Sequence, residues 1–459
     1  MRRALQVVAL ALVLALVLAA PRVSAAAVGA TDNSPGKGGL ARAEIKAIRG
    51  PGRAKAKSPW LAEETTHLEA VESSGKAQKR DAEIVLSALE KFFFSEEVCS
   101  DTARSISFQN RGAGEGLGSL LNGYLITWST VLAVDGKRLC AHESNTAYVN
   151  ASTCPSQSWD CLFEPISPEC TCAAAPQRAS FEQRAATRCF DESRSEIFTS
   201  NGLRTVLRET LKTHLAPFLP ASTPLPNRDD HWYMALFYHY VLRPNQRLLD
   251  FKMALQKVVF PGIDFETEAI ACHVRRGDHW MGEHLSDDAY LSSIRTVASA
   301  TGASVVLLAS DDFDVLESYP LRLKPLRVVS VPTNYSALHE LGKACVGMSR
   351  RCSAAKHLRE KGSSDEGLLL MSQILLMAET KVTIGSIGSN FARVIHQLQW
   401  ARTILSGKGT PHPMLSFFDM VGAEYFACGW RRSGHITRDN ASVQKEWVAR
   451  HNFYKSIVT

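Results

Sequence analysis

Two adjacent arginines follow an apolar run in the second half of the chain. Residues 269–274 have the composition of a buried strand, and Arg275 and Arg276 come directly after it. Two neighbouring guanidinium groups are costly to bury without partners, and their planar forks suit phosphate oxygens. The pattern predicts either a clamp for a diphosphate or a structural ion-pair network with Asp278, and spacing alone does not decide between them.

A second apolar run ends in Ser310, Asp311 and Asp312. These acids could bind the hydroxyl groups of a sugar or ribose, or they could orient the arginines. The alternative is that Ser310 or Asp311 only caps the following helix.

A third run leads into a turn of small residues, 385–390, with Ser389 near its end and Arg393 one helical turn later. Small residues with free N–H groups at a helix N-terminus can cradle an anion. The alternative is an ordinary tight turn. Three polar strand ends on one sheet edge together favour a phosphate-bearing ligand.

Glycines at alternate positions from 112 to 118, including Gly116 and Gly118, resemble a nucleotide-binding loop. The loop lacks the Lys-Ser/Thr ending of a P-loop, so that class is excluded. By itself this signal is weak.

Strands and helices alternate from about residue 266 onwards. The spacing predicts strands at 269–274, 304–309, 327–331 and 381–385, and helices at 288–300, 313–319, 366–379 and 390–401. Such alternation indicates a parallel sheet with helices on both faces. Ligands of such sheets bind beyond the carboxyl ends of the strands, which is where the polar residues fall.

The first half of the chain is predicted to be rich in helices. Apolar periodicity places them at 82–94, 119–134, 203–215 and 232–259, with Pro244 kinking or splitting the last. Residues 26–80 are rich in Gly, Ala, Lys and Ser and are predicted to form a flexible stem.

The N-terminus predicts entry into the secretory pathway. A short basic start, an apolar run at residues 7–20 and small residues at 23–25 are typical of a signal peptide, and an uncleaved anchor is the alternative. Asn150, Asn334 and Asn440 begin glycosylation sequons. Cysteines crowd between positions 140 and 189, which favours disulfides in an oxidising lumen. The total of 11 cysteines is odd, and Cys272, inside an apolar strand, is the expected free thiol.

Composition excludes several classes of protein. The chain has 459 residues, 45% of them hydrophobic, so it can bury a substantial core. A formal net charge of +6 is too small to indicate a nucleic-acid-binding protein. No long apolar run follows the N-terminal one, which excludes several membrane spans.

Several segments together resemble the α1,6-fucosyltransferases, to which the protein O-fucosyltransferases are more distantly related. The hexapeptide His273-Val274-Arg275-Arg276-Gly277-Asp278 is similar to the His-Val-Arg-Arg-x-Asp signature of that family. The other similar segments, in the family's order, are 116–119, 159–170, 240–244, 309–312 and 386–393.

The resemblance implies an α/β fold of the GT-B-like type, with two α/β domains and a Rossmann-like parallel sheet in the C-terminal one. Its implied boundaries are a signal peptide or anchor at 1–25, the stem at 26–80, an acceptor-side domain at 81–262, a GDP-fucose-binding domain at 263–405 and a C-terminal extension at 406–459. It also implies a Cys99–Cys170 disulfide.

The implied activity is inverting transfer of fucose from GDP-fucose to a glycan GlcNAc, of the N-glycan core type, without metal or other cofactor. The expected partners are GDP-fucose and a glycan or glycoprotein acceptor, with no nucleic acid, membrane contact only through an N-terminal anchor, and a homodimer as one option. The expected compartment is the secretory lumen, in particular the Golgi.

Positions similar to the family's motifs carry roles as the resemblance implies them. Arg275 and Arg276 would hold the β-phosphate, and Glu283 would take the proton of the acceptor hydroxyl. The donor site would be formed by His273, Asp278, Asp311, Asp312, Ser389, Gly116 and Gly118.

Two departures concern the substrates. His279 replaces the family's lysine on the acceptor side, and Gln373 replaces an aspartate on the donor side. A different acceptor, such as a protein Ser/Thr or another oligosaccharide, is therefore one alternative, and a catalytically silent glycan- or nucleotide-binding protein is another.

Overall fold

A computed structural model describes slightly more than half of the chain. The described residues are 59–95, 105–109, 117–118, 120–122, 124–125, 132, 138–141, 148–149, 152–156, 159–166, 178–180, 213–221, 223–228, 230–276, 285–331, 366–386, 389–407, 417–419, 441, 444–445, 447–449 and 452. The predicted signal segment and the predicted Cys99–Cys170 disulfide lie outside these ranges.

The first described element is a helix, α1, from Pro59 to Phe94. It contains the helix predicted at 82–94 and begins earlier, within the segment predicted to be a flexible stem. Proline fits the first turn of a helix because its missing N–H would have no partner there. Residues 60–72 are also rich in Ala, Leu and Glu, which favour helix strongly. This propensity explains the early start, although the segment lacks lasting apolar periodicity.

A three-stranded parallel sheet follows. Its strands are β1 (Ser105–Gln109), β2 (Arg138–Ala141) and β3 (Arg178–Ser180). Strand β1 lies in the centre and pairs with the other two. The described residues from Leu117 to Leu125, and Leu132, are helical, in agreement with the helix predicted at 119–134.

Pro244 separates two helices, as predicted. Helix α2 runs from Asp230 to Val241 and helix α3 from Gln246 to Val259. Asn245 begins α3, and its side chain accepts a hydrogen bond from the Leu248 N–H at 2.9 Å.

The link around Pro244 pairs with the segment 159–166. Phe163 forms a β-bridge with Pro244. The Glu164 N–H donates to the Arg243 carbonyl at 2.8 Å, and their side chains form a salt bridge at 3.3 Å. A disulfide between Cys154 and Cys161 lies just before this pairing, within the cysteine-rich region of the sequence. Two of the segments that resemble the fucosyltransferases are therefore structural partners.

A five-stranded parallel sheet forms the second half. Its strands are β4 (Ala269–Val274), β5 (Val305–Ser310), β6 (Arg327–Ser330), β7 (Thr383–Gly385) and β8 (Phe417–Asp419). Their order across the sheet is β6-β5-β4-β7-β8. The predicted parallel sheet is confirmed. Strand β8 comes from the predicted C-terminal extension, where a strand of three residues is too short to leave a clear pattern.

Five described helices accompany this sheet, and all but the first, a single turn before β4 that was not predicted, agree with the predicted spans to within about five residues. They are α4 (Phe265–Glu268), α5 (Asp287–Thr301), α6 (Phe313–Arg322), α7 (Glu366–Ala378) and α8 (Asn390–Ser406).

The two faces of this sheet belong to different apolar clusters. Ala271 and Leu307 point into the cluster that contains α7, α8 and the helices of the first half. Cys272 and Leu308 point into the cluster that contains α5 and α6. Successive residues of a strand face opposite sides, so burial on both faces explains why these strands are continuously apolar. Cys272 is a buried free thiol, as predicted.

Within the ranges given above, no helix has both the length and the apolar character needed to cross a membrane.

Candidate functional site

The order of the five strands reverses direction beside β4. From β4 the chain moves outwards to β5 and β6, and it returns to the other side of β4 for β7 and β8. The carboxyl ends of β4 and β7 therefore border a point where the connection reverses direction, and ligands of open α/β sheets bind at such points. Arg275 follows β4, Asp311 follows β5 and Ser386 follows β7, so the three predicted polar strand ends share this edge.

Arg275 and Asp311 form an ion pair at this edge. The Arg275 Nη1 donates to Asp311 Oδ2 at 2.5 Å, and the backbone N–H of Arg276 donates to Asp311 Oδ1 at 2.7 Å. The Arg275 side chain keeps 34% of its surface exposed and that of Asp311 26%. Asp311 thus holds the Arg275 guanidinium, while about a third of the arginine side chain remains exposed.

Asp312, rather than Ser310 or Asp311, caps the helix after β5. Its side chain accepts a hydrogen bond from the Asp314 N–H at 2.9 Å. The Ser310 hydroxyl donates to the Val274 carbonyl at 2.9 Å and accepts from the Asp312 N–H at 3.0 Å. Helix capping, the alternative predicted for this segment, is thus present, but the capping residue is Asp312. Ser310 instead connects the ends of β4 and β5.

His273 belongs to β4, and its side chain faces the start of α8. Its Nδ1 is 3.4 Å from the Ser389 hydroxyl, and its ring stacks on Phe391 with centroids 4.8 Å apart. Burial lowers the pKa of His273 to about 4, opposed by the charge of Asp311 and supported by that of Arg275. The imidazole is therefore neutral at physiological pH, and which of its nitrogens carries the proton decides whether it donates to or accepts from Ser389.

Ser389 occupies the N-cap position of α8, but its side chain makes no capping hydrogen bond. Its hydroxyl instead faces His273, and only 6% of the residue is exposed. The first N–H groups of α8 have no partner within the helix, and they carry the positive end of the helix dipole. The start of α8 therefore has the polarity that suits a negatively charged group, and the anion cradle at this turn stays a prediction.

The helical segment 117–125 packs against the start of α8. A Cβ atom on Gly118 would lie 2.7 Å from the Phe391 nitrogen and 2.9 Å from its Cα, so only glycine fits. The Asn122 amide donates to the Asn390 side chain at 2.9 Å, and the Tyr238 hydroxyl donates to Asn122. The predicted glycine turn and the predicted anion cradle are thus direct neighbours.

Arg276 points to the other face of the sheet. Its Nη2 donates to Asp287 Oδ1 at 2.7 Å, and its Nη1 donates to the Leu285 carbonyl. Its side chain is 15% exposed, about half the value for Arg275. A structural ion pair, one of the two alternatives predicted from the sequence, is thus present at Arg276, and its partner is Asp287. Asp278, the partner that the sequence suggested, lies outside the described residues.

Four predicted site residues lie outside the described residues, namely Gly116, Asp278, His279 and Glu283. Their assigned roles stay predictions. Gln373, the departure on the donor side, is buried in α7, and its Nε2 has no hydrogen-bond partner among the residues that the structure describes. The same residues contain no cluster of side chains that could hold a metal ion.

Asn122 and Asp287 are site residues that the sequence analysis missed. Asn122 is a polar residue inside an apolar helix pattern, which is a signal in the sequence for a buried polar contact. In the structure it is only 4% exposed. Asp287 follows Ser286, the N-cap of α5, and therefore resembles an ordinary acid of a first helical turn. Its contact with Arg276 could not be read from the sequence.

The protein is thus of the α/β class, with a five-stranded parallel sheet and a partly exposed Arg275–Asp311 ion pair at the carboxyl edge where the strand order reverses. Among solved structures, POFUT1 in its apo form and in complex with GDP-fucose are 12% and 13% identical to this chain, with 65% of this chain and 95% of theirs covered and a TM-score of 0.32. NodZ α-1,6-fucosyltransferase co-crystallised with GDP is 16% identical, with 65% and 91% covered and a TM-score of 0.32.

These neighbours are fucosyltransferases. No family of known sequences matches the chain, and neither does any curated protein.

Proposed function

We propose that this protein is an inverting, metal-independent fucosyltransferase that uses GDP-fucose and forms an α1,6 linkage to a GlcNAc of the N-glycan core. The observation that carries the proposal is the position of Arg275. Its side chain is partly exposed at the reversal of strand order, and Asp311 accepts a hydrogen bond from its guanidinium at 2.5 Å. The residues around it are those of the motifs that resemble the α1,6-fucosyltransferases.

The start of α8 supplies a second contact for the donor. Its N–H groups and the Ser389 hydroxyl suit a phosphate oxygen. Buried His273 can orient that hydroxyl, since the two groups are 3.4 Å apart. Because the imidazole is neutral, it adds no charge of its own to the site. Arg275 and α8 would therefore bind the diphosphate from two sides.

The reaction follows from this arrangement. The acceptor hydroxyl attacks the anomeric carbon of fucose, the bond from that carbon to the β-phosphate oxygen breaks, and GDP leaves. Negative charge grows on the leaving oxygen, and a fixed guanidinium stabilises it without reorganising. Glu283 would accept the proton of the acceptor hydroxyl. The protein would act in the secretory lumen, as its N-terminal sequence predicts.

Transfer can be measured directly. The purified full chain is incubated with GDP-fucose and a panel of N-glycan, protein and oligosaccharide acceptors in the presence of EDTA, and products are identified by mass spectrometry. We expect an α1,6-fucosylated N-glycan core and one GDP per fucose transferred. GDP release without any fucosylated product, or a product formed only when metal is supplied, would contradict the proposal.

A variant then tests Arg275. We expect Arg275→Ala to lower kcat by roughly 100- to 1000-fold, as for loss of one preorganised group that stabilises developing charge. Arg402→Ala is the matched control, because Arg402 pairs with Glu266 at 2.7 Å before the start of β4, at the opposite edge of the sheet. Equal turnover of wild type and Arg275→Ala would remove Arg275 from the reaction.

A further inference from the structure

Arg276 belongs to a polar cluster on the α5–α6 side of the sheet. Besides its contacts with Asp287 and the Leu285 carbonyl, its guanidinium lies 5.4 Å from the centroid of the Tyr290 ring. Burial alone would lower the pKa of Arg276, but its hydrogen bond to Asp287 and the nearby charges raise it overall. The guanidinium is therefore charged, partly buried and already supplied with an anionic partner.

Asp287 joins Arg276 to helix α6. Its Oδ1 accepts from the Tyr319 hydroxyl at 3.2 Å, and its Oδ2 accepts from Arg322 Nη1 at 3.2 Å. We name Arg276, Asp287, Tyr319 and Arg322 the Arg276 cluster. It connects the end of β4 with the start of α5 and with the last turn of α6.

The two arginines therefore occupy different surroundings. The Arg276 side chain is 15% exposed and is held by a carboxylate and a carbonyl, whereas that of Arg275 is 34% exposed at the carboxyl edge of the sheet. The backbone N–H of Arg276 also donates to Asp311, the same carboxylate that holds the Arg275 side chain. Main chain and side chain of Arg276 are thus both fixed, and through the peptide bond they fix the direction in which Arg275 leaves the strand.

We propose that Arg276 is a positioning residue: the cluster anchors the end of β4 so that Arg275 alone contacts the diphosphate. This inference rests on the proposed function. It divides between two residues a role that the sequence motif assigns to both. Asp287, which the motif does not contain, becomes as important for turnover as Arg276.

The test separates donor binding from turnover. The variants are Arg276→Lys, Asp287→Asn and the double variant, measured for GDP affinity by calorimetry and for kcat by transfer assay. Lysine keeps the charge but cannot contact two partners with a rigid fork. We expect each single variant and the double to lose roughly tenfold in kcat, without additivity, as for residues of one network. The Kd for GDP should stay within about threefold of wild type, because Arg275 still binds it.

Two further variants guard against a purely structural effect. Tyr319→Phe removes one hydrogen bond to Asp287 and keeps the ring, so it should lower kcat in the same direction by a smaller factor. Arg402→Lys is the control, because Arg402 also contacts one carbonyl, that of Glu379 at 2.8 Å, and one carboxylate, that of Glu266 at 2.7 Å. It should leave both Kd and kcat unchanged.

A different outcome would overturn the inference alone. If Arg276→Lys weakened GDP binding tenfold or more while Asp287→Asn did not, Arg276 would be a phosphate ligand. Additive losses in kcat would likewise exclude a shared positioning role. A wild-type protein that binds no GDP would instead overturn the proposed function, and this inference with it.

Discussion

Gly118→Ala is a test of how the first half of the chain shapes the site. The change adds one methyl group to a helical residue that faces the start of α8. The new Cβ would lie 2.7 Å from the Phe391 nitrogen, 2.9 Å from its Cα and 3.1 Å from the Asn390 carbonyl carbon. All three are backbone atoms, so no side chain can rotate away to make room.

The magnitude follows from these distances. Non-bonded carbon atoms prefer separations of about 3.5 Å or more, so the start of α8 must move by about 0.8 Å from its contact at 2.7 Å. Overpacking of this kind costs about 1–3 kcal/mol, and alanine in place of glycine returns about 1 kcal/mol of helix propensity. We expect a net loss of about 1 kcal/mol in the free energy of unfolding.

The effect on turnover should be larger than the effect on stability. Ser389 lies two residues before Phe391, so the proposed phosphate contacts would move with the helix start. A misplacement near 1 Å can cost about 100-fold in rate, and we expect at least a roughly tenfold loss of kcat.

Gly302→Ala is the matched control. Gly302 has φ of 66° and open space around a new Cβ, and it lies before β5, at the opposite edge of the sheet. A left-handed conformation costs a residue with a Cβ about 1–2 kcal/mol, so the loss of stability is similar, and turnover should stay at the wild-type level. Stability is measured by urea unfolding and kcat by transfer assay. A Gly118→Ala protein that is more stable than wild type, or equally active, would refute this reasoning.

Two other predictions concern stability. The folded-state pKa of His273, about 4, lies below its ordinary value of 6.5, so the unfolded chain binds the extra proton first. The free energy of unfolding should therefore fall as pH drops from about 6.5 to 4, by about 3 kcal/mol at most. Urea unfolding at a series of pH values measures this fall, and His273→Gln should make it smaller. An equal dependence on pH in wild type and variant would contradict the prediction. Replacing both Cys154 and Cys161, seven residues apart, by serine should cost about 2 kcal/mol through the freed loop, and unchanged unfolding curves would contradict that role.

The regular elements of the second half could be predicted from the sequence because their signals are local. Buried strands have apolar runs, such as residues 305–309, and the helices between them have apolar spacing that suits one face. Pro244 marked the break between α2 and α3 for an equally local reason. Strand β8 was missed because pairing with β7, not its own three residues, makes it a strand.

The sequence by itself determined which polar residues reach the carboxyl edge of the sheet, since each follows an apolar run directly. Only the tertiary structure decided what each does there. Arg275 and Arg276 are neighbours in the chain, yet successive residues leave a strand on opposite sides, so one meets Asp311 at the end of β5 and the other meets Asp287 at the start of α5. Gly118 and Phe391 are far apart in sequence, and their contact exists only because the core folds one helix onto another. Partners of this kind depend on distances across the fold, which local residue patterns do not contain.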